Sequence, residues 1–259
     1  MEKGPRATYD SRPRAALFIA AVIVSAAILG VHALTLQQFR KTMMRSTEAH
    51  LASQGLVLAQ ETDRSFKLLD LTLSIVADHI ARLGASDSDA LQQQLSGPAS
   101  HRWLKEKIDG LAHVDAITLI SARGKLINFS RYWPIPDVDV TDRDYFQALQ
   151  ADATLETFIS RPVLNKATGT WTIYLARRLN SPNGDFKGLV LGAVALQYYE
   201  AFFQSIATQT DHAVSLFRQD GMLLARYPRT DDVGQHLPAL TPVSPQVRPT
   251  ISRVERPVD

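Results

Sequence analysis

The sequence predicts an α+β chain: an N-terminal transmembrane helix, then a long amphipathic helix, then a five-stranded, mostly antiparallel sheet carrying one long insertion. Three observations lead there. Residues 15–36 contain no Asp, Glu, Lys or Arg. From Thr35 to about Leu83 apolar residues recur at helical spacing without a proline. Between Ala116 and Phe203, short strand-like runs are divided by glycine-bearing turns.

Length and composition set the bounds. With 259 residues and 45% hydrophobic content the chain can bury a real core. The net charge of +2 implies no polyanionic partner, and no basic stripe is interleaved with aromatics, so nucleic-acid binding is not expected. Cysteine is absent, which removes disulfides, thiolate metal sites and thiol nucleophiles together.

Residues 1–14 form a basic segment with Lys3, Arg6, Arg12 and Arg14 against Glu2 and Asp10. The 22 uncharged positions of 15–36 would span roughly 33 Å as a helix, enough to cross a bilayer core. The basic flank places the N-terminus in the cytoplasm and exports the rest. A cleavable signal peptide is the competing account, because Val31, His32 and Ala33 offer small residues at cleavage positions. The length of the apolar run favours the uncleaved anchor.

Over 37–84, Leu51, Leu58, Leu68, Leu69, Leu73, Val76 and Ile80 recur at helical steps between Gln54, Glu61, Arg64 and Asp78. Gly84, with Ala85, Ser86 and Asp87, ends the helix. Such a stripe exceeds what one small sheet can cover. Two readings stay open for the surplus: a homodimer through this helix, or packing on the chain's own domain.

The segment 85–208 reads as one lobe. A helix over 89–110, apolar at Leu91, Leu95, Trp103, Leu104 and Ile108, is interrupted at Gly97-Pro98. Strands follow over 116–121 and 126–130, hinged on Arg123-Gly124, and then over 157–164, 170–179 and 186–196. A helix over 197–208 carries Tyr198, Phe202, Phe203 and Ile206 as a core face. In 209–237 a second hairpin turns on Asp220-Gly221. The last segment, 238–259, holds Pro238, Pro242, Pro245, Pro249 and Pro257 without periodicity and is expected to be disordered.

The insertion over 131–151 is the informative stretch, since a small sheet does not need a long, aromatic, charged excursion between its second and third strands. Arg143 is the foremost candidate for binding, because a guanidinium can hold a carboxylate or phosphate through two parallel charge-assisted hydrogen bonds. The bland account of Arg143 is an ion pair to Asp142 or Asp144 that merely pins the loop. Tyr145 and Trp133 would supply flat walls with a polar edge; Tyr132 and Asp144 stand beside them. Tyr174 lies on the strand face opposite Trp171, Ile173 and Leu175, and is assigned to the ligand side.

Asp137, Asp139, Asp142 and Asp144 invite a calcium reading, but an EF-hand loop counted from Asp137 would need glycine and glutamate where Asp142 and Ala148 stand. No metal and no cofactor is expected. The seven histidines show no metal-ligand spacing, and no nucleophile elbow, phosphate loop or dinucleotide fingerprint is present, so catalysis is not expected.

In the run Asp142, Arg143, Asp144, Tyr145, Phe146, in the glycine turn before Gly188, and in the Asp220-Gly221 hairpin with Arg226-Tyr227-Pro228, the chain resembles the double Cache sensors. These PDC or PAS-like extracytoplasmic domains belong to bacterial histidine kinases, diguanylate cyclases and chemoreceptors. The resemblance runs from the apolar N-terminal helix to about Leu237. It implies a membrane-distal PAS-like lobe that holds a small polar or anionic metabolite between sheet and loop-helix insertion, with Arg143, Tyr145 and Phe146 at a ligand-contacting motif. It also implies the start of a second lobe at 209–237, a periplasmic location on a single-pass inner-membrane anchor, and a role in two-component or cyclic-di-GMP signalling. Such receptors continue to a second membrane helix and an output domain, neither of which is present, so a fragment or truncated sensor is expected. Family members that bind amino acids carry an aspartate on the last strand of the lobe, whereas 188–196 here has no carboxylate. The alternative function is a membrane-anchored interaction module without a ligand.

Overall fold

A computed structural model describes residues 12–85, 88–207 and 213–237, with the side chains of 12–27, 48 and 88 outside that description. Helix α1, Arg12–Arg82, runs without a break through both N-terminal segments. The chain divides into two units, the first including Met1–Gly55 and the second Leu56–Arg248. In the first unit the apolar side chains of α1 over 28–47, Ile28, Leu34 and Phe39 among them, are exposed. Among the described residues no helix is long and apolar enough to cross a membrane. The span expected over 15–36 falls largely on residues whose side chains lie outside the description, as does the proline-rich stretch 238–259.

The second unit is built on a six-stranded antiparallel sheet. Its strands are β1 (Ala116–Ser121), β2 (Leu126–Phe129), β3 (Thr157–Ile159), β4 (Val163–Leu164), β5 (Trp171–Asn180) and β6 (Phe186–Ala195). They run in the order β2-β1-β6-β5-β3, with β4 also paired to β5. The expected five strands become six because 157–164 does not stay extended. Pro162 has no N–H to give the ladder, and the Ser160 hydroxyl takes a backbone place in it, accepting from Tyr174 N at 2.9 Å. Arg161 N turns away to Asp144 Oδ2 at 2.8 Å. The helix expected over 89–110 is likewise two, α2 (Ser88–Leu95) and α3 (Pro98–Lys107), broken where Gly97-Pro98 predicted.

Period-2 alternation sends the sheet's residues into two cores. On one face Ile117, Leu119, Val190, Val194, Leu175 and Leu179 meet the α1 stripe of Leu69, Leu73, Val76 and Ile80. On the other face Ile120, Leu189, Leu191, Ala193 and Tyr174 meet the insertion, where α4 (Asp144–Ala151) presents Tyr145, Phe146 and Leu149. Leu69, Leu73 and Val76 are wholly buried, each contributing roughly 1.5–3 kcal/mol. An ion pair from Arg177 to Asp70, 2.9 Å, fixes α1 on β5.

Helix α5 (Leu196–Ile206) leaves β6 directly and packs Tyr199 and Phe203 on the α1 side. The hairpin β7 (Val214–Phe217) and β8 (Leu223–Tyr227) forms a separate two-stranded sheet. Met222 and Leu224 join it to Ile173 and Leu196.

Two glycines are demanded by close approach. A Cβ on Gly192 would lie 2.5 Å from the Leu69 side chain, so β6 admits α1 only because that atom is missing. Gly188, at φ +138°, would put a Cβ 2.1 Å from Ile120 O. Gly192→Val is therefore expected to push α1 off the sheet and lower unfolding free energy by about 1–3 kcal/mol. Chemical denaturation checks this, and an unchanged midpoint would contradict the seating described.

Candidate functional site

The insertion closes over the sheet face opposite α1. After β2 the chain turns back along the hairpin, with Leu126 N bonded to Val138 O at 3.0 Å and Val140 N to Gly124 O at 2.9 Å. Gly124 holds φ +77°, and a Cβ there would stand 2.4 Å from Thr141 Cγ2, so the tight turn also makes room for the insertion. Asp139 caps the next bend, its Oδ1 accepting from Thr141 N at 2.9 Å and Thr141 Oγ1 at 2.6 Å. Those bonds hold its carboxyl below the usual range.

Helix α4 begins at Asp144, and its N-terminal charge suits a carboxylate. Asp144 Oδ1 accepts from Tyr145 N at 2.9 Å and Oδ2 from Arg161 N at 2.8 Å. Arg218, on the loop after β7, reaches the same carboxylate at 3.8 Å. It also donates to Ile159 O at 2.6 Å and lies over the Phe158 ring. One side chain thus fastens the covering helix to the β3–β4 break and to the second hairpin.

Between insertion and sheet lies a cavity of about 40 Å³. Arg143, Tyr145 and Tyr174 line it, together with Arg131, Thr118, Asn165 and Lys166 and an apolar remainder that includes Ile120, Leu126, Val138, Val140 and Leu191. Tyr174 and Tyr145 stand with ring centroids 5.4 Å apart. Both are almost fully buried, and among the described residues neither phenolic oxygen has a hydrogen-bond partner. Burial pushes the Tyr174 hydroxyl up to about 12 against the pull of Arg143 and Arg131, and raises Tyr145 as well. Both therefore remain O–H donors at neutral pH.

The three cations differ in how they are matched. Arg131 pairs with Asp115, and burial lowers its pKa. Lys166 donates to Asp142 Oδ1 at 2.6 Å, which holds that carboxyl low. Arg143, half-buried, donates to the Leu164 carbonyl at 2.9 Å, and among the described residues no carboxylate lies within ion-pair distance of it. The ion pair to Asp142 or Asp144 that would have made Arg143 a mere pin is absent there; those two carboxylates serve Lys166 and Arg161.

Three of the six residues singled out from sequence meet at the cavity, and three do not. Tyr132 and Trp133 are 39% and 41% exposed, the first edge-on to Phe129 and the second beside His101. Asp144 holds the covering helix rather than the hollow. Sequence reasoning passed over Arg131, Asn165 and Lys166. Arg131 opens the insertion and had a positional signal, whereas Asn165 and Lys166 sit in the β4–β5 turn and reach the site only through the fold.

No protein-family model and no curated protein matches this sequence. Solved structures do resemble it. The extracellular domain of rpHK1S-Z16, described as a histidine kinase, superposes with a TM-score of 0.62 at 23% identity over 71% of this chain and 72% of that one. The periplasmic sensory domain of the Campylobacter jejuni chemoreceptor Tlp1 gives 0.57 at 15% identity over 75% and 76%. The ligand-binding domain of the Pseudomonas fluorescens chemoreceptor CtaA, in complex with L-isoleucine, gives 0.54 at 20% identity over 83% and 81%. The chain has the fold of an extracytoplasmic sensor domain. In this sensor fold a sheet backed by the long N-terminal helix carries its hollow on the far face, under α4.

Asp144→Ala would leave Arg161 N without its acceptor and free Arg218 from the covering helix. We expect a loss of about 1–3 kcal/mol together with faster amide exchange at Arg161 and Tyr145, read by denaturation and hydrogen exchange. Unchanged exchange at both amides would show that α4 is held by its apolar face alone.

Proposed function

We propose that this chain is the extracytoplasmic sensing lobe of a membrane-anchored bacterial signalling protein, and that its cavity takes a small anionic metabolite. The observation that carries the reading is Arg143: a guanidinium lining a covered cavity beside two phenols without a hydrogen-bond partner, with no carboxylate among the described residues within ion-pair distance. Arg131 and the two tyrosines would complete the grip. Solved neighbours of the same fold include a receptor domain in complex with an amino acid, which supports small-molecule binding at such a lobe.

The anchor rests on residues 15–36, uncharged and preceded by Lys3, Arg6, Arg12 and Arg14. The same features support a cytoplasmic N-terminus and a periplasmic lobe. The β7–β8 hairpin is the opening of a second lobe in this reading, and α1, seated on the sheet beneath the cavity, carries the signal towards the membrane.

A second copy of the chain is the expected partner. Val57, Leu68, Leu71 and Ile75 face away from the core, 57%, 41%, 59% and 47% exposed, on one heptad face of α1. The detergent-solubilised chain is expected to have twice the monomer mass by light scattering, and Leu71→Glu with Ile75→Glu to halve it. A monomer from the unmodified chain would remove the partner.

A ligand-free interaction module is favoured by one observation, the cavity volume. About 40 Å³ is room for a few waters at most, against ~300–1,000 Å³ for a typical ligand site. Sensing therefore requires the insertion to yield as the ligand enters.

Thermal unfolding of the full chain in detergent, against a panel of carboxylates, phosphates, amino acids and amines, separates the readings. We expect an anionic member to raise the midpoint, and Arg143→Ala to weaken it by about ten- to a hundredfold. A panel without a single shift would leave the interaction module standing.

A further inference from the structure

The buried face of α1 changes character between Leu58 and Leu69. Leu58, Thr62, Ser65 and Leu69 follow at steps of four, three and four on one side of the helix, and all of them are buried. The middle two are polar. Ser65 Oγ donates to Glu61 O at 2.9 Å, so its hydroxyl is occupied within the helix. Its carbonyl meets a ring from outside: His113, 8% exposed, whose Nε2 lies 3.1 Å from Ser65 O.

His113 stands where the chain enters β1. Two residues on, Asp115 N donates to Ala193 O at 2.8 Å and the Asp115 carboxylate pairs with Arg131, so the imidazole is fixed to the sheet and reaches across to the helix. Its ring also lies 5.9 Å from that of Tyr198 on α5, inclined at 49°. One side chain touches three elements, a single helical turn from Leu69, the residue that Gly192 admits.

The chemistry of the ring decides what this contact can do. A carbonyl only accepts, so the hydrogen sits on Nε2 and Nδ1 is bare. Among the described residues Nδ1 has no partner. A second proton would go to Nδ1, find no acceptor, and put a charge into a buried contact. Glu61 on α1 is the charged group facing the ring and favours the proton, as does the bond to Ser65 O. Tyr198 is the titratable group facing it from α5, and on the sheet side Asp115 is taken by Arg131. Burial outweighs Glu61 and the bond together, and holds the imidazole below its ordinary 6.5. Acid therefore protonates the detached or unfolded state first. The stability that neutral His113 contributes is complete above pH 6.5 and is lost as pH falls from there through the folded value.

We propose that His113 is an acid-sensitive latch on α1: neutral, it ties Ser65 to the root of β1, and on taking up a proton it releases the stretch 61–69 of α1 from the sheet and α5. On the sensing reading above, α1 is the route to the membrane and the lobe faces the medium. Acidity is then a second input, applied on the sheet face opposite the hollow.

Hydrogen exchange of the full chain in detergent, corrected for the intrinsic rate, at about pH 7.5 and 5.5 tests the latch. Protection over 58–69 should fall by about threefold or more on acidification. His113→Gln, which keeps a donor near the Nε2 position but does not titrate, should remove that fall. The ring nitrogens of His113, labelled with nitrogen-15, should titrate below 6.5, and this measurement decides the matter if the glutamine variant does not fold. A fall of equal size in His113→Gln would overturn the proposal, as would unchanged protection in the unmodified chain or a ring that titrates at or above 6.5. Ligand-induced stabilisation at neutral pH, measured separately, keeps the two claims apart. With it, a flat acid response sinks the latch alone; without it, an acid response upholds the latch and sensing falls.

Discussion

The close approach of α1 to β6 sets the terms for the rest of the molecule. Gly192 lets the Leu69 side chain reach the strand backbone, and Leu73, Val76 and Ile80 follow along the same face. A sheet has two faces, and once a helix has filled one of them the strand alternation delivers Ile120, Leu189, Leu191, Ala193 and Tyr174 to the other. Those side chains cannot be left to water without losing the burial that stabilises the sheet. The insertion between β2 and β3 is therefore required by packing as well as by any ligand. What is special is that it covers the face incompletely.

How the insertion is held explains where the hollow lies. Backbone bonds tie its first half to the β1–β2 turn, and Asp144 ties the start of α4 to Arg161 and Arg218. Phe146 and Leu149 fill the space beneath α4. Between those two attachments only side chains bridge from cover to sheet, and the ones available are long and polar. Arg143 and Lys166 satisfy themselves at the rim, on Leu164 O and on Asp142, and the phenols of Tyr145 and Tyr174 face inward without a partner.

Much of this was legible in the residues. Glycine turns at Gly124, Gly184 and Gly221 fixed three hairpins because only glycine accepts their positive φ cheaply, and period-2 runs gave β1, β2, β5 and β6 nearly to the residue. The β3–β4 break was missed although Pro162 announced it, because the Ser160 hydroxyl that stands in for a backbone group belongs to no local pattern. At the site, Arg143, Tyr145 and Tyr174 could be read from charge and alternation. Tyr132 and Trp133 could not be told from wall residues, since an aromatic in a loop reads the same whether it faces a hollow or solvent. Asn165 and Lys166 were invisible for a different reason: they arrive from a turn some twenty residues away in sequence, and only the pairing of β4 with β5 brings them across.

Volume and charge together constrain how such a site can work. A hollow of about 40 Å³ has room for a few waters at most, so a metabolite enters only if the cover shifts, and the shift must draw on differential binding to the open and closed arrangements. The attachments decide which part gives. The cover's first half shares backbone bonds with the β1–β2 turn, and α4 is pinned at Asp144 and buried through Phe146 and Leu149. Between them, 141–143 is held by side-chain contacts and by single bonds such as Arg143 N to Val140 O. Arg143 sits in that short span as the N-cap of α4, its carbonyl accepting from Gln147 N at 3.1 Å. Asp144 is the next residue and is tied to Arg218 at 3.8 Å, so the candidate binding residue adjoins the junction between the covering helix and the second hairpin.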